Sequence, residues 1–410
     1  MNAVSGGVMF FSSFKHRNYK IFYIGSTISS VGTWAHRIAQ DWLVLELTNS
    51  AQALGIVISA QFLPGFFFSL FGGSLADRLD RRKALMGCNA AGGLIALVLG
   101  VLVLTHHVHV WSVALSAFLL GTTNAIDGPI RQSYYIILVG ERDLPNATSL
   151  NSANINVGRL IGPVVSGLLI EAFGTGPSFI INAITYLVVF LSVAQIRPSE
   201  YMLKILVQSN ETKAKIRDGF SHVLHKPELL MSIVAVSFLA MWGQDMQITS
   251  AMMAKETFAR GAASFGALGS IFALGAVLGA LSFSRRKTLP TIKLIGLRAL
   301  LMSGAWFLAG IAPNYSTFAI ALFICGWCSM GVNISGNASM RTYADPAFYG
   351  RSWGVYIFMW QSLIALGAPI LGWINQQYSP RTAVLFGAVM ALTMSLYVLF
   401  RFRSEATNKI

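Results

Sequence analysis

Long apolar runs alternate with short charged clusters along the whole chain. The sharpest instance lies early. Residues 51–71 and 84–105 contain no Lys, Arg, Asp or Glu, while Asp77, Arg78, Asp80, Arg81, Arg82 and Lys83 crowd into the stretch between them. Such a cluster stays outside a hydrocarbon layer, and its flanks fit inside one. The same alternation predicts twelve spans, near 21–45, 51–75, 84–105, 110–128, 148–173, 178–196, 228–250, 264–284, 291–312, 316–338, 351–375 and 380–401. Each is about 20 residues long, the length a helix needs to cross a bilayer. The predicted fold class is therefore all-α, a polytopic membrane protein. Polar residues interrupt the first and seventh spans, where the count is least sharp.

The longest polar segment, 198–227, divides the spans into an N-terminal six-helix half, 1–197, and a C-terminal six-helix half, 228–410. The halves carry a faint repeat. Gly72 and Gly279 are 207 positions apart, Pro163 and Pro369 206, and Trp34 and Trp242 208. Two parallel six-span repeats are a transporter architecture, with the substrate site where the repeats meet.

Composition strengthens this picture. The 410 residues are 54% apolar and only 11% charged, against about 25% charged in a typical soluble domain. The net charge of +14 raises nucleic acid as a partner, but the basic residues sit in short clusters between apolar runs, and nucleic-acid binding is set aside. Lys255, Arg260 and Arg381 fall on one side, Arg37, Arg159 and Arg298 inside spans, and the rest of the 30 Lys and Arg on the side of the termini. The positive-inside rule then places both termini in the cytoplasm of a multi-pass protein of the inner (cytoplasmic) membrane. The first apolar run follows Lys15, Arg17 and Lys20 with no small-residue cleavage site, which reads as an uncleaved first span.

Polar positions inside the spans are the candidates for chemistry. In span 1, Ser26, Ser30, Thr33, Arg37 and Gln40 step by three and four, so one helix face is polar along its length and should look onto a cavity. Arg37 and Asp41 are four apart and could pair. Trp34 is a neighbour for stacking a substrate. Span 7 offers Trp242, Gln244, Asp245 and Gln247, span 10 Asn333 and Asn337, and span 11 Trp360 and Gln361. For the amides, bonding between helices is an equally good explanation. For Asp41 and Asp245, rare titratable groups at membrane depth, a role in substrate or proton handling is favoured.

Enzyme motifs find no support. Gly350-Arg351-Ser352-Trp353-Gly354 fits a hydrolase elbow, but it opens a membrane span instead of joining a strand to a helix. Cys325 and Cys328 have C-x-x-C spacing without a second ligand pair and read as small buried residues. His106, His107 and His109 are too close in one loop to converge on a metal with ease. There is no Gly-Lys dipeptide, so no P-loop, and the energy must come from a gradient. No catalytic residue, metal or cofactor is expected.

Two motifs carry a family resemblance. The stretch Gly73-Ser-Leu-Ala-Asp77-Arg78-Leu-Asp-Arg81-Arg82-Lys83, between spans 2 and 3, resembles the signature loop of the major facilitator superfamily. Gly158-Arg-Leu-Ile-Gly162-Pro163-Val-Val-Ser-Gly167 in span 5 resembles that superfamily's antiporter signature. A narrower likeness rests on Phe14-Lys-His-Arg-Asn-Tyr, Gly32-Thr-Trp, Gln40-Asp-Trp-Leu-Val-Leu and Asp127-Gly-Pro-Ile-Arg131-Gln, which are similar to the bacterial branch of siderophore exporters and macrolide-type efflux proteins. Two departures stand out. Asp80 replaces the usual Gly at a helix end, where a left-handed backbone is expected. Ala117 stands where many proton-coupled members have Arg.

The resemblance implies a secondary transporter working by alternating access and exporting a small amphipathic or aromatic molecule, a siderophore or a drug, by proton antiport. It implies a conformational latch of Gly73, Asp77, Arg78 and Arg81, with Arg131 adding charge, onto the start of span 11 at Ser352. Gly158, Gly162, Pro163 and Gly167 would form a sealing or hinging helix. The expected partners are the substrate, protons and the lipid bilayer, and the chain is expected to act as a monomer. The rivals are an importer or lysolipid transporter of the same fold, and, from other classes, a membrane-embedded enzyme or a receptor.

Overall fold

The computed structural model describes residues 11–68, 79–203, 216–242, 247–284 and 292–402. Among them there are helices and turns and no strand. The helices are α1 (Arg17–Thr48), α2 (Ala51–Phe68), α3 (Arg81–Leu104), α4 (Val110–Phe173), α5 (Gly176–Ala194) and α6 (Ile216–Leu224). Then come α7 (Pro227–Met241), α8 (Gln247–Met252), α9 (Ala262–Ser284), α10 (Ile292–Ile311), α11 (Tyr315–Tyr343), α12 (Tyr349–Gln377) and α13 (Pro380–Arg401).

Nine of the described helices are long and apolar enough to cross a membrane. One of them, α4, has 64 residues, about 96 Å at 1.5 Å per residue. That is far more than one bilayer of about 30 Å. It is broken at Gly140, whose φ of 74° and ψ of 173° suit glycine alone, so the expected spans 4 and 5 are its two arms. The polar helix α1 and the 15-residue α7 stand outside the nine. α1 carries Arg37, Asp41 and Glu46, and a π-helical turn, Met253–Thr257, follows α8.

Loops gather at two ends. His16 Nε2 meets Asp143 Oδ2 at 2.9 Å, and Asn18 bonds the backbone of Arg197, so the start of α1, the Gly140 break and the end of α5 share the terminal end. At the far end, Gly176 packs on Leu104, and Arg381 donates to the carbonyl of Gly310 at 3.1 Å.

The polar segment after α5 is tied down at both of its described margins. Met202 N donates to Ile137 O at 2.9 Å on α4. The short helix α6 lies on α12: Gly219 abuts Arg351, Phe220 meets Phe358, and His222 stacks on Phe348 at 4.6 Å. Lys226 then bonds Asp345.

Helices in lipid have no hydrophobic drive to associate and pack through small residues that let backbones approach. Two seams follow that rule with matching chemistry. A methyl group at Gly55 of α2 would strike the carbonyl of Ala368, next to Pro369, on α12. A methyl group at Gly266 of α9 would strike the carbonyl of Pro163 on α4. Each seam seats a glycine against the kink-forming proline region of its neighbour.

Asp80 corrects the expectation of a left-handed residue. Its φ of −61° and ψ of 109° are extended, and its side chain accepts from Lys83 N, so it caps α3. Asp is a strong N-cap because its carboxylate satisfies a free backbone donor of the first turn.

Candidate functional site

The polar face predicted for α1 looks onto a cavity of about 270 Å³ among α1, α3, α4 and α5. Ser26, Ser29, Ser30 and Thr33 line it from α1, Asn89 from α3, Thr123, Asn124, Asp127, Arg131, Asn151 and Asn154 from α4, and Tyr186 from α5. It lies towards the terminal end, since Asp127, Arg131 and Asn151 flank the Gly140 break.

Its electrostatic centre is an ion pair. Arg131 donates to both carboxylate oxygens of Asp127, at 2.7 and 3.1 Å, and to Ser26 Oγ at 2.8 Å. The guanidinium also lies 5.2 Å from the centroid of Phe22. Residues four apart share a helix face, which is why these two meet. Arg131, expected at a latch, thus engages the cavity wall. Asp127 entered the sequence reading only as part of a motif. An acid and a base four apart in an apolar run were the signal that could have singled it out.

A second cavity of about 70 Å³ lies where α1 and α4 face α8 and α9. Trp34 lines both cavities, and Arg37, Arg159, Pro163, Gln247 and Phe265 line the second. The Arg37 guanidinium lies 4.7 Å from the Trp34 ring centroid and that of Arg159 4.8 Å. The antiporter-type helix holds Trp34 in place. A methyl group at Gly158 would come within 2.8 Å of Trp34 Cδ1, and one at Gly162 within 2.6 Å of Trp34 Cβ. Pro163 nests against Gly266 and Gly269, and Gly167 against Ala262 and Ala263 of α9.

Towards the far end the two sides of the molecule are joined by hydrogen bonds. Gln247 Nε2 donates to Asp41 Oδ2 at 2.5 Å, and Asp41 is fully buried. Lys255 Nζ donates to Leu45 O at 2.6 Å, placing a cation at the C-terminal end of α1, where the helix dipole favours it. Ala51 N donates to Gln376 Oε1 at 2.7 Å, and Ser59 Oγ to Ala365 O at 2.6 Å. The partner expected for Asp41 from spacing was Arg37; the hydrogen bond found goes to Gln247.

The other expected residues are dispersed. Gln40 donates to Gln61 of α2 at 3.2 Å. Trp242 packs between Phe238 and Phe386, within the second set of helices. Trp360 meets Phe62, and Gln361 meets Gly65, both at the α2–α12 seam. Asn333 donates to Ser329 O of its own helix, and Asn337 is exposed on α11. Of the latch, Arg81 Nε donates to Ser133 Oγ, and Ser352 is fully buried in the first turns of α12. Gly350–Gly354 is helical throughout and not a strand-to-helix elbow. Gly73, Asp77, Arg78, Gln244 and Asp245 lie outside the described residues.

A family model described as transmembrane secretion effector matches residues 8–410. The enterobactin exporter EntS of Escherichia coli O81 (strain ED1a) is 24% identical over 408 residues, covering 95% of this chain and 93% of that protein. The staphyloferrin A transporter of Staphylococcus aureus (strain NCTC 8325 / PS 47) is 28% identical over 173 residues, 42% of this chain and 44% of that one. Among solved structures, the nucleoside transporter NupG superposes with a TM-score of 0.73 at 16% identity, over 94% of this chain and 99% of that one. A bacterial homologue of the human lysosomal transporter Spinster, inward-facing and occupied, does so with a TM-score of 0.74 at 12% identity, over 95% and 97%. The fold is that of these transporters, and the chain belongs to the transmembrane secretion effector family of major facilitator transporters.

Proposed function

We propose that this chain exports a small amphipathic or aromatic molecule of the siderophore or drug kind across the inner membrane, by alternating access and in exchange for protons. The observation that carries the reading is the bond from Gln247 to the buried Asp41. It joins α1, in the first six spans, to α8, in the last six, on the side away from the termini, while the larger polar cavity lies on the terminal side. With both termini cytoplasmic, as the basic residues favour, this is a state closed to the outside, with the cavity towards the cytoplasm.

On this reading the two rocking bodies are 1–197 and 228–410, joined by 198–227. The two bodies meet along the α2–α12 and α4–α9 seams. Asp41 carries the proton. As a carboxylate it holds the Gln247 amide strongly, because a bond to an ionised acceptor is stronger than a neutral one. Opening to the outside breaks that bond and lets the freed carboxylate take a proton from outside, and the proton is released as the bond re-forms on return. Asp245 is the alternative carrier. Asp77 latches the start of α12 near Ser352 when the cytoplasmic side is closed. The chain acts as a monomer.

Export is favoured by the similarity to exporters that cover nearly the whole chain and by the antiporter-type helix seating Trp34. The test is uptake into inside-out vesicles, with and without an imposed pH gradient. Accumulation that needs an acidic interior supports proton-driven export. Accumulation in right-side-out vesicles instead would make the protein an importer.

A further inference from the structure

Side-chain amides from α3 and from both arms of α4 line the larger cavity, and the bonds they already make fix what they can still offer. Each Asn carries one carbonyl acceptor and two N–H donors. Asn151 accepts the Tyr135 hydroxyl on Oδ1 at 2.7 Å, a bond that also ties the two arms of α4 together, so its N–H donors are left for another partner. Asn89 gives an N–H to Leu85 O at 2.7 Å, and among the described residues its carbonyl takes no bond. Asn154 is 6% exposed, and its Oδ1 has no hydrogen-bond partner among the described residues.

A buried carbonyl without a donor carries a free-energy cost that a ligand's N–H would recover. The ion pair offers the same chemistry. Each carboxylate oxygen of Asp127 accepts one bond from Arg131 and keeps further acceptor capacity, and three of the five N–H groups of Arg131 make the bonds to Asp127 and Ser26. Acceptors and donors therefore stand side by side twice on this wall, at Asp127 and Arg131, four apart, and at Asn151 and Asn154, three apart. A group that carries a donor next to an acceptor can bond both members of such a pair at once. An ester or a carboxylate only accepts, and leaves Asp127 and Asn154 without a donor.

We propose that this cavity binds an amide-bearing part of the transported molecule, with Asp127 and Asn154 accepting its N–H groups and Arg131 and Asn151 donating to its C=O groups. This rests on the transport reading above and adds the chemical class of the group recognised. At about 270 Å³ the cavity falls just below the range of about 300–1,000 Å³ that holds a whole drug-sized ligand, so it takes one part of the substrate. Tyr135 acts as a positioning residue, since its hydroxyl turns the Asn151 amide so that the N–H side is the one on offer.

The test is binding of tritiated benzamide to the full chain in lipid nanodiscs, counted above empty discs, with unlabelled benzamide, methyl benzoate and benzoate as competitors. The three share a ring and a carbonyl carbon, and the N–H donor belongs to benzamide alone. Benzamide should compete at concentrations roughly tenfold or more below those of the ester and the acid, the size of one hydrogen bond to a charged group. Asn154→Leu and Asn151→Leu, nearly the same size as wild type, should each narrow that preference or abolish benzamide binding, with thermal unfolding as the check on folding. Competition by methyl benzoate or benzoate as strong as by benzamide, no saturable benzamide binding, or a preference unchanged in both leucine variants overturns the proposal. The wild-type ranking decides by itself if a variant fails to fold. Benzamide binding of the expected rank in a protein that accumulates nothing in the vesicle test above would keep this site and overturn transport, and accumulation there without that ranking would do the reverse.

Discussion

Gln247 Nε2 donates to Asp41 Oδ2 at 2.5 Å, joining the last quarter of α1 to the start of α8 where no water reaches the carboxylate. The bond lies in the same layer as the Lys255 contact with the end of α1 and the Ala51 contact with Gln376. These three polar contacts between the two sets of helices therefore sit towards one face of the molecule.

If those contacts open and close in each cycle, holding them shut must stop transport. Cysteines replacing Ala51 and Gln376, joined by a short bifunctional thiol reagent, should abolish transport, and cleaving the link should restore it. Transport continuing at full rate through the linked form would argue against movement at this face.

The glycines of the antiporter-type helix make a prediction with an internal control. Gly162→Ala would set a methyl group 2.6 Å from Trp34 Cβ and 2.8 Å from Val31 O, whereas Gly87 and Gly304 have nothing within 4 Å of the added carbon. Overpacking of this kind costs about 1–3 kcal/mol. Alanine at the open helix sites should be neutral or stabilising by up to about 1 kcal/mol. Thermal unfolding in detergent should rank Gly162→Ala below wild type, with Gly87→Ala and Gly304→Ala at or above it.

The Asp127–Arg131 pair should show strong coupling. Arg131→Leu leaves a half-buried carboxylate with no cation, a loss of about 3–5 kcal/mol for a buried pair broken on one side. Asp127→Asn combined with Arg131→Gln removes both charges and should be milder. In a double-mutant cycle of Asp127→Asn and Arg131→Gln, a double-variant loss equal to the sum of the two single losses would mean the pair does not act as one.

Outside the membrane, the contact between α6 and α12 should respond to acid. The hydrogen bond from Lys226, and then its charge and that of His222, hold the Asp345 carboxyl below its ordinary range. A depressed folded-state pKa contributes stability above the unfolded value, lost as the pH falls through the folded one. Hydrogen exchange of Ile216–Leu224 should thus be steady from about pH 8 to about pH 5, once corrected for intrinsic rates, and rise only in stronger acid. Asp345→Asn should raise it at neutral pH.

Much of this fold was legible in the sequence because a bilayer imposes one length and one polarity on every span. The polar face of α1 was legible too, as three- and four-residue steps from Ser26 to Gln40, and Ser26, Ser30 and Thr33 do line the larger cavity. Partner choice was not legible. Spacing paired Arg37 with Asp41, yet the carboxylate takes its hydrogen bond from Gln247, 206 positions away, because the packing of α8 beside α1 decides it. Trp242 looked like a counterpart of Trp34, but its ring turns to Phe238 and Phe386, within the second set of helices. The role of Gly158 and Gly162 as a seat for Trp34 needed the pairing of α1 with α4, which no local pattern contains.

The most direct measurement is proton-driven accumulation by Asp41→Asn in inside-out vesicles. The amide keeps the shape of the side chain and can still bond Gln247, but it cannot take up and release a proton. Substrate should still bind and equilibrate across the membrane, while accumulation under an imposed pH gradient falls to the level seen with no gradient. Accumulation by Asp41→Asn to the same ratio as wild type would contradict the assignment of Asp41 as the residue that couples the gradient to export.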